Sequence, residues 1–345
     1  MDIFIRARFV IVHLLSLCLI SLLTTGCHAQ ADQSNQVTNK KMENKTQNPL
    51  LCDIETGLCE MPDSTATSPA QAASAFKKPI NIIYYTDPIC SSCWGIEPQL
   101  RKLKLEYGSS IEVEYRMGGL LPDWSYNSGG ISKPSDVAHH WDEVSRHYDM
   151  PIDGDVWLED PLASSYPPSI AFKAAQLQDQ HKAIDFLREV REMVFLHKKN
   201  IAKWENLVTA AQKAGLDLDR FKTDYQGKAK TLFEEDLALG QQLGVRGFPT
   251  MFFVDGQGNQ EKVYGSKPYA AYEATLHKQL PTATKAPIHQ DWESLFASYP
   301  TLTSREFSEL SGIRRQDSDT YLQKLVDAGK LGKITTKNGV LWTRR

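Results

Sequence analysis

Two cysteines separated by two residues, Cys90 and Cys93 in YTDPICSSCWGIEPQL, are the residues whose type and spacing most directly suggest chemistry. Such a pair can be half of a zinc site, a structural staple, or a redox couple. A four-cysteine zinc site would need a matching half, and the remaining candidates, Cys52 and Cys59, are spaced too widely for one. A disulfide closing so small a loop removes little entropy from the unfolded chain, which weakens the staple reading. Reversible thiol–disulfide exchange explains the spacing better, with no metal and no cofactor implied.

The other cysteines set the context. The chain has six. Cys18 falls in an apolar run, 9–23, that follows Arg6 and Arg8 and reads as the core of a secretory signal. The run ends in LLTTGC, with Gly26 directly before Cys27, the pattern of a bacterial lipoprotein signal. The expectation is that Cys27 carries the lipid and that the folded part lies in the cell envelope, on the periplasmic side, tethered to a membrane. Disulfides persist in such a compartment. Residues 28–78 are rich in Gln, Asn, Ser, Thr and Lys and read as a flexible tether, interrupted by the island NPLLCDIETGLCEMP. Its pair, Cys52 and Cys59, is either a local structural disulfide folding a small loop onto the body or a second redox pair that swings towards Cys90.

The elements around the pair are legible. The run INIIYYTD from Ile80 is a buried strand, and SSCWGIEPQLRKLKLEYG reads as a helix kinked at Pro98. Cys90 therefore sits at a strand-to-helix turn, where unpaired amides favour a thiolate, and Cys93 lies deeper as the resolving thiol. Asp87 and Glu97 flank the turn; either can relay protons, and Asp87 before Pro88 can equally serve as turn chemistry. Far downstream, LGVRGFPTMFFVDGQGN places Gly247, Phe248 and Pro249 directly before an apolar strand, followed by a hairpin and a helix over 268–280.

TDPICSSCWGIEPQL, RMGGLLPDW and GVRGFPTMFF together resemble the DsbA-like branch of the thioredoxin superfamily, and within it the FrnE and SpxH-adaptor group. The resemblance implies an α/β thioredoxin fold with an inserted helical domain. It also implies Cys90 as nucleophile, Cys93 as resolving cysteine and Pro249 as a cis-proline that presents the Phe248 backbone, with Gly247, to an extended substrate. Trp94, Trp124 and Tyr166 are candidate groove aromatics that can equally be packing residues. Two features depart from the family's best-known members: Ser91 and Ser92 stand between the cysteines, and Tyr84 lies six residues before Cys90 where thioredoxin carries an aspartate.

The organisation expected is a leader over 1–27, a tether over 28–78, a thioredoxin-like domain over 79–281 with a helical insertion over about 120–243, and a small module over 289–345. Within the insertion, 164–178, 182–197, 204–214 and 228–243 show helical spacing. Segments 116–124 and 164–169 read as its joints, and REVRE and HKKN read as solvated helix surface. His139, His140 and His147 read as solvated helix histidines rather than a metal face. The last module, with three helices and a hairpin about KNG, resembles a winged helix. Its Arg314, Arg315, Lys333, Lys337, Arg344 and Arg345 could meet phosphate, but its acids and the leader favour packing or protein binding, with no nucleic acid. The net charge of −3 announces no polyanionic partner.

Three functions follow, the third being a disulfide sensor with the last module as its output. The first is an enzyme, exchanging disulfides with thiols or disulfides of envelope proteins and reset by an unidentified redox partner. The alternative is a peptide-binding adaptor on the same fold, as in the SpxH-like relatives, whose cytosolic setting the leader argues against.

Overall fold

The strand-forming run INIIYYT is buried almost throughout, because helices cover one face and inserted segments the other. The structure, a computed structural model, describes residues 52–54, 57–60, 77–125 and 132–345. The expected leader, the lipid site Cys27 and most of the tether lie outside the described residues.

The first elements are two short strands, β1 (Cys52–Asp53) and β2 (Leu58–Glu60), paired antiparallel with Cys52 opposite Cys59. Next come β3 (Ile80–Thr86), α1 (Ser91–Gly95), α2 (Glu97–Tyr107) and β4 (Ile111–Met117). Where one kinked helix was expected there are two. Ile96, at φ −91° and ψ 0°, separates them, and Pro98 occupies the first turn of α2, where a missing amide is harmless. β4 runs parallel to β3, with Tyr84 opposite Tyr115.

The insertion contains α3 (Pro134–Tyr148), α4 (Val156–Glu159), α5 (Tyr166–Gln178), α6 (Gln180–Leu196), α7 (Trp204–Lys213), α8 (Leu218–Gln226) and α9 (Lys228–Gln242). The apolar spacing had not flagged α8, which buries only Phe221 and so has no stripe to read. The chain then returns through β5 (Gly247–Phe248), β6 (Thr250–Asp255), β7 (Gln260–Tyr264) and α10 (Tyr269–Gln279). β6 pairs antiparallel with both β3 and β7, giving a four-stranded sheet of order β4-β3-β6-β7. β5 stands apart from that sheet and pairs with β2 instead.

Residues beyond the linker form α11 (Trp292–Ser298), β8 (Thr301–Thr303), α12 (Ser304–Ser311), α13 (Arg315–Asp327), β9 (Leu331–Thr336) and β10 (Gly339–Arg344). They have their own core of Leu295, Phe296, Leu302, Phe307, Leu310, Leu322, Leu331 and Trp342, against which Leu105 of α2 packs. Thr303 caps α12: its hydroxyl accepts from Glu306 N, while Glu306 accepts from Thr303 N at 2.7 Å. The same buried carboxylate pairs with Arg188 of α6 at 2.8 Å and Arg101 of α2 at 3.2 Å. REVRE (188–192) is therefore not solvated surface. Its two arginines and Glu192 are largely buried, because the last module covers that face of α6.

Candidate functional site

The β3-to-α1 turn places Cys90 at the N-cap of α1, where its sulfur accepts a hydrogen bond from Cys93 N at 3.2 Å. Both cysteines are free thiols, and both are fully buried. On the opposite side, the Phe248–Pro249 bond is cis, joining β5 to the start of β6. Between them lies β2. Cys59 stands opposite Phe248 and Glu60 opposite Gly247 in an antiparallel ladder, and the Cys90 thiol points at Cys59 Sγ, 3.4 Å away. Cys59 is itself disulfide-bonded. The edge expected to receive an extended substrate is thus occupied by a strand of the chain itself.

The seat of this hairpin is specific. Ser266 N donates to Gly57 O at 3.0 Å, and Gly57 N to Asp53 O at 2.6 Å. Gly57 has φ +67°, and a Cβ there would meet Ser266 Cβ at 2.5 Å and Tyr148 Oη at 3.0 Å, so both conformation and space call for glycine. Tyr148, half-buried, donates to Ser92 Oγ at 3.2 Å and so ties α3 to the turn between the cysteines. Gly118 lets the Phe248 ring lie against the backbone after β4, and any Cβ would fall inside that ring.

A buried charge sits behind the pair. Arg191 of α6, 1% exposed, donates to Glu97 Oε1 and Thr86 Oγ1, both at 2.6 Å. Burial works against ionisation of Cys93. Hydrogen bonding from Cys90, the Arg191 charge, and hydrogen bonds from Thr86 and Tyr84 outweigh it and bring that thiol below its ordinary value. Burial pushes Cys90 up instead, reinforced by its hydrogen bond to Cys93 and that residue's charge. In this closed arrangement Cys93 is therefore the more acidic of the two thiols, the reverse of the expected order. The hairpin excludes water from Cys90, while Arg191 lies behind Cys93.

Asp87 braces the turn. Its carboxylate accepts from Ile89 N at 3.0 Å, Leu120 N at 2.8 Å and Ser165 Oγ at 2.9 Å. Burial nevertheless raises its pKa to about 6 against these bonds. Two of the three donors come from the segments read as joints of the insertion, so Asp87 ties the turn after β3 to 116–124 and 164–169.

Other candidates fall elsewhere. Trp94 was expected to line the groove, but it is buried in the interior, stacked on Phe195, covered by Arg188 and donating to Pro151 O at 3.1 Å. Trp124 is half-buried, edge-on to Trp157, and donates to Leu162 O at 2.8 Å. Tyr166, also half-buried, packs against Phe233. His139 and His147 are exposed, but His140 is buried against the insertion rather than solvated. Among the described residues no group of His, Cys, Asp and Glu is arranged to hold a metal, and no helix is long and apolar enough to cross a membrane. Arg191 and Tyr148 were not singled out from sequence. Arg191 stood within an apparently charged helix face, and Tyr148 near the end of a helix without a distinguishing motif.

The strand–CxxC–helix unit, the cis-proline loop facing it and the helical insertion define a DsbA-like thioredoxin-fold protein. A family model described as Thioredoxin matches residues 84–274. The curated ClpXP adapter protein SpxH of Halalkalibacterium halodurans is 35% identical over 86% of this chain and 97% of its own. That of Bacillus subtilis is 31% identical over 77% and 89%. A solved structure from Nitrosomonas europaea, described as a candidate protein disulfide isomerase, shares the fold with a TM-score of 0.51 and 22% identity, covering 59% of this chain and 97% of its own. The chain belongs to the thioredoxin family, in the branch that holds the SpxH adapters. These relatives overturn the expected enzyme that exchanges disulfides on envelope proteins: they span nearly their whole length with this chain and are named adapters.

Proposed function

We propose that this protein is an adapter. It holds an extended segment of a client protein along the Gly247–Phe248 edge, beside Cys90 and Pro249, without needing to turn that client over. The observation that supports this most is the β2–β5 pairing: the edge accepts an antiparallel strand by backbone bonding and buries a side chain of that strand against the cysteine pair. Backbone pairing gives affinity with little demand on sequence, and the pocket at Cys90 selects what stands opposite Phe248. The names of the relatives support the same reading and specify ClpXP as their partner. Lipid attachment at Cys27 belongs to the proposal as the device that fixes this chain to a membrane, and loss of fatty-acid labelling in Cys27→Ala is its expected signature.

The test is whether function survives loss of the sulfurs. Proteins whose lifetime changes when this protein is deleted are its candidate clients. Complementation with the fourfold variant Cys52→Ser/Cys59→Ser/Cys90→Ser/Cys93→Ser, in which no disulfide holds the hairpin closed, is expected to restore those lifetimes. Complementation with Gly118→Val, which displaces the Phe248 ring and hence the edge, is expected to fail although the protein accumulates. The opposite pattern, with the serine variant dead and the edge variant active, would overturn the adapter reading.

A further inference from the structure

Cys59 combines three properties that no structural staple requires. It is disulfide-bonded, it occupies the strand position opposite Phe248, and its sulfur lies 3.4 Å from the free Cys90 thiol. That separation is already a near-attack distance for displacement at sulfur. Cys93, one hydrogen bond further in, is the only other free thiol among the described residues.

We infer that the hairpin Cys52–Glu60 is an internal ligand of the client groove, and that disulfide exchange between Cys59 and the Cys90/Cys93 pair switches the groove between closed and open. The inference rests on the adapter reading of that groove, and the exchange is confined to the chain's own cysteines. Cys90 Sγ attacks Cys59 Sγ. We infer from the ladder, where Cys52 stands opposite Cys59, that Cys52 holds the other end of the Cys59 disulfide; that bond breaks with the electron pair leaving on Cys52, which takes the proton that Cys90 gave up. Cys93 Sγ then attacks Cys90 Sγ and expels Cys59, which takes the proton that Cys93 gave up. Two electrons have then passed from the Cys90/Cys93 dithiol to the hairpin, whose disulfide has become two thiols. No outside oxidant or reductant is consumed. The reduced hairpin has lost the cross-link that closes its small loop, and with it part of the preorganisation that seats Gly57 against Ser266. A client strand then takes its place on β5. The groove thus reads the redox state of its surroundings through the hairpin disulfide, and the preferred client carries a small side chain opposite Phe248, where Cys59 now stands.

The exchange is tested without any client. In full-length Cys93→Ser, equilibrated across a glutathione series and trapped with acid, non-reducing digestion and mass spectrometry should recover a Cys59–Cys90 cross-link. Recovery of only the hairpin disulfide at every ratio would overturn the exchange. Occupancy is tested with a fluorescent peptide copying residues 56–62 with serine at the position of Cys59. Its binding to Cys52→Ser/Cys59→Ser and to Gly57→Val should be roughly tenfold tighter than to wild type, because an occupied groove weakens apparent affinity in proportion to the fraction open. Equal, measurable affinity for all three would overturn the internal-ligand claim. Binding to none would overturn the client groove itself, while the cross-link result still decides the exchange on its own.

Discussion

Two coverings lie on the same thioredoxin core, and they are held by opposite means. The module over 289–345 is fixed by ion pairs, buried at Glu306 and partly exposed at Lys337 and Arg315. Glu306 is shared between Arg188 and Arg101, Lys337 reaches Asp142 and Asp155 at 2.6 and 2.7 Å, and Arg315 grips Asp149. The hairpin is held by a two-residue ladder to β5, the bond from Ser266, and burial of Leu58 and Cys59. Removing one member of a buried ion set strands charges in a poor solvent, which costs about 3–5 kcal/mol. A strand that peels away returns its amides to water, and each bond lost costs a net ~0.5–1.5 kcal/mol. The first covering is therefore part of the fold, while the second can leave and return. The cationic side chains that might have met phosphate follow the same rule: Lys337 and Arg315 are already taken by carboxylates of the insertion.

The largest expected effect comes from Glu306→Ala. It leaves Arg188 and Arg101, both on the thioredoxin side of the boundary, without the carboxylate they share and should lower stability by about 3–5 kcal/mol in chemical denaturation. A loss under about 1 kcal/mol would mean that the module is held by its apolar contacts instead. Arg191→Met removes the charge behind the cysteines. It should cost up to about 3 kcal/mol by stranding Glu97, and it should raise the pH at which Cys93 alkylates in folded, hairpin-deleted protein. An unchanged alkylation profile would separate Arg191 from the thiol chemistry.

Asp87 gives the pH dependence of the core beneath the hairpin. Its folded pKa, about 6, lies above the ordinary aspartate value of 3.8, so folding favours the protonated acid. Its contribution is full below about pH 4, falls as pH rises through 6, and stays flat above that. At 1.36 kcal/mol per unit the difference is on the order of 3 kcal/mol at most. Urea titrations at pH 4 and pH 7 should show this loss in wild type and a flatter profile in Asp87→Asn. Equal slopes would mean that its three donors hold it ionised throughout. The smallest effect on global stability should come from Gly57→Val, because its strain is relieved when the hairpin leaves and only the few hairpin bonds are then lost, at a net ~0.5–1.5 kcal/mol each.

What the sequence disclosed depended on range. Cys90, Cys93 and the strand before them form one local unit whose apolar run and spacing are visible in a short window, and Gly247–Thr250 marks its own loop. The partnership of Cys59 with Phe248 could not be read, because neither a two-residue ladder nor a glycine seat leaves a periodic trace. Arg191 was misread for a related reason. A helix that packs on two sides, against the sheet and against the last module, buries charges in pairs, and a charged face looks the same in sequence whether its partner is water or a distant glutamate. Trp94 was open between groove and packing in the sequence, because adjacency to Cys93 does not fix which way a helical side chain turns, and it points into the interior.

The central claim is that the hairpin closes the groove over Cys90. The most direct measurement is the rate of iodoacetamide alkylation at Cys90 in the full-length protein, read by mass spectrometry, for wild type and Gly57→Val. The account predicts slow, opening-limited labelling in wild type and a large acceleration in Gly57→Val with the rest of the fold intact. Labelling of wild type at the rate of an exposed thiol, or an identical slow rate in both proteins, would contradict it.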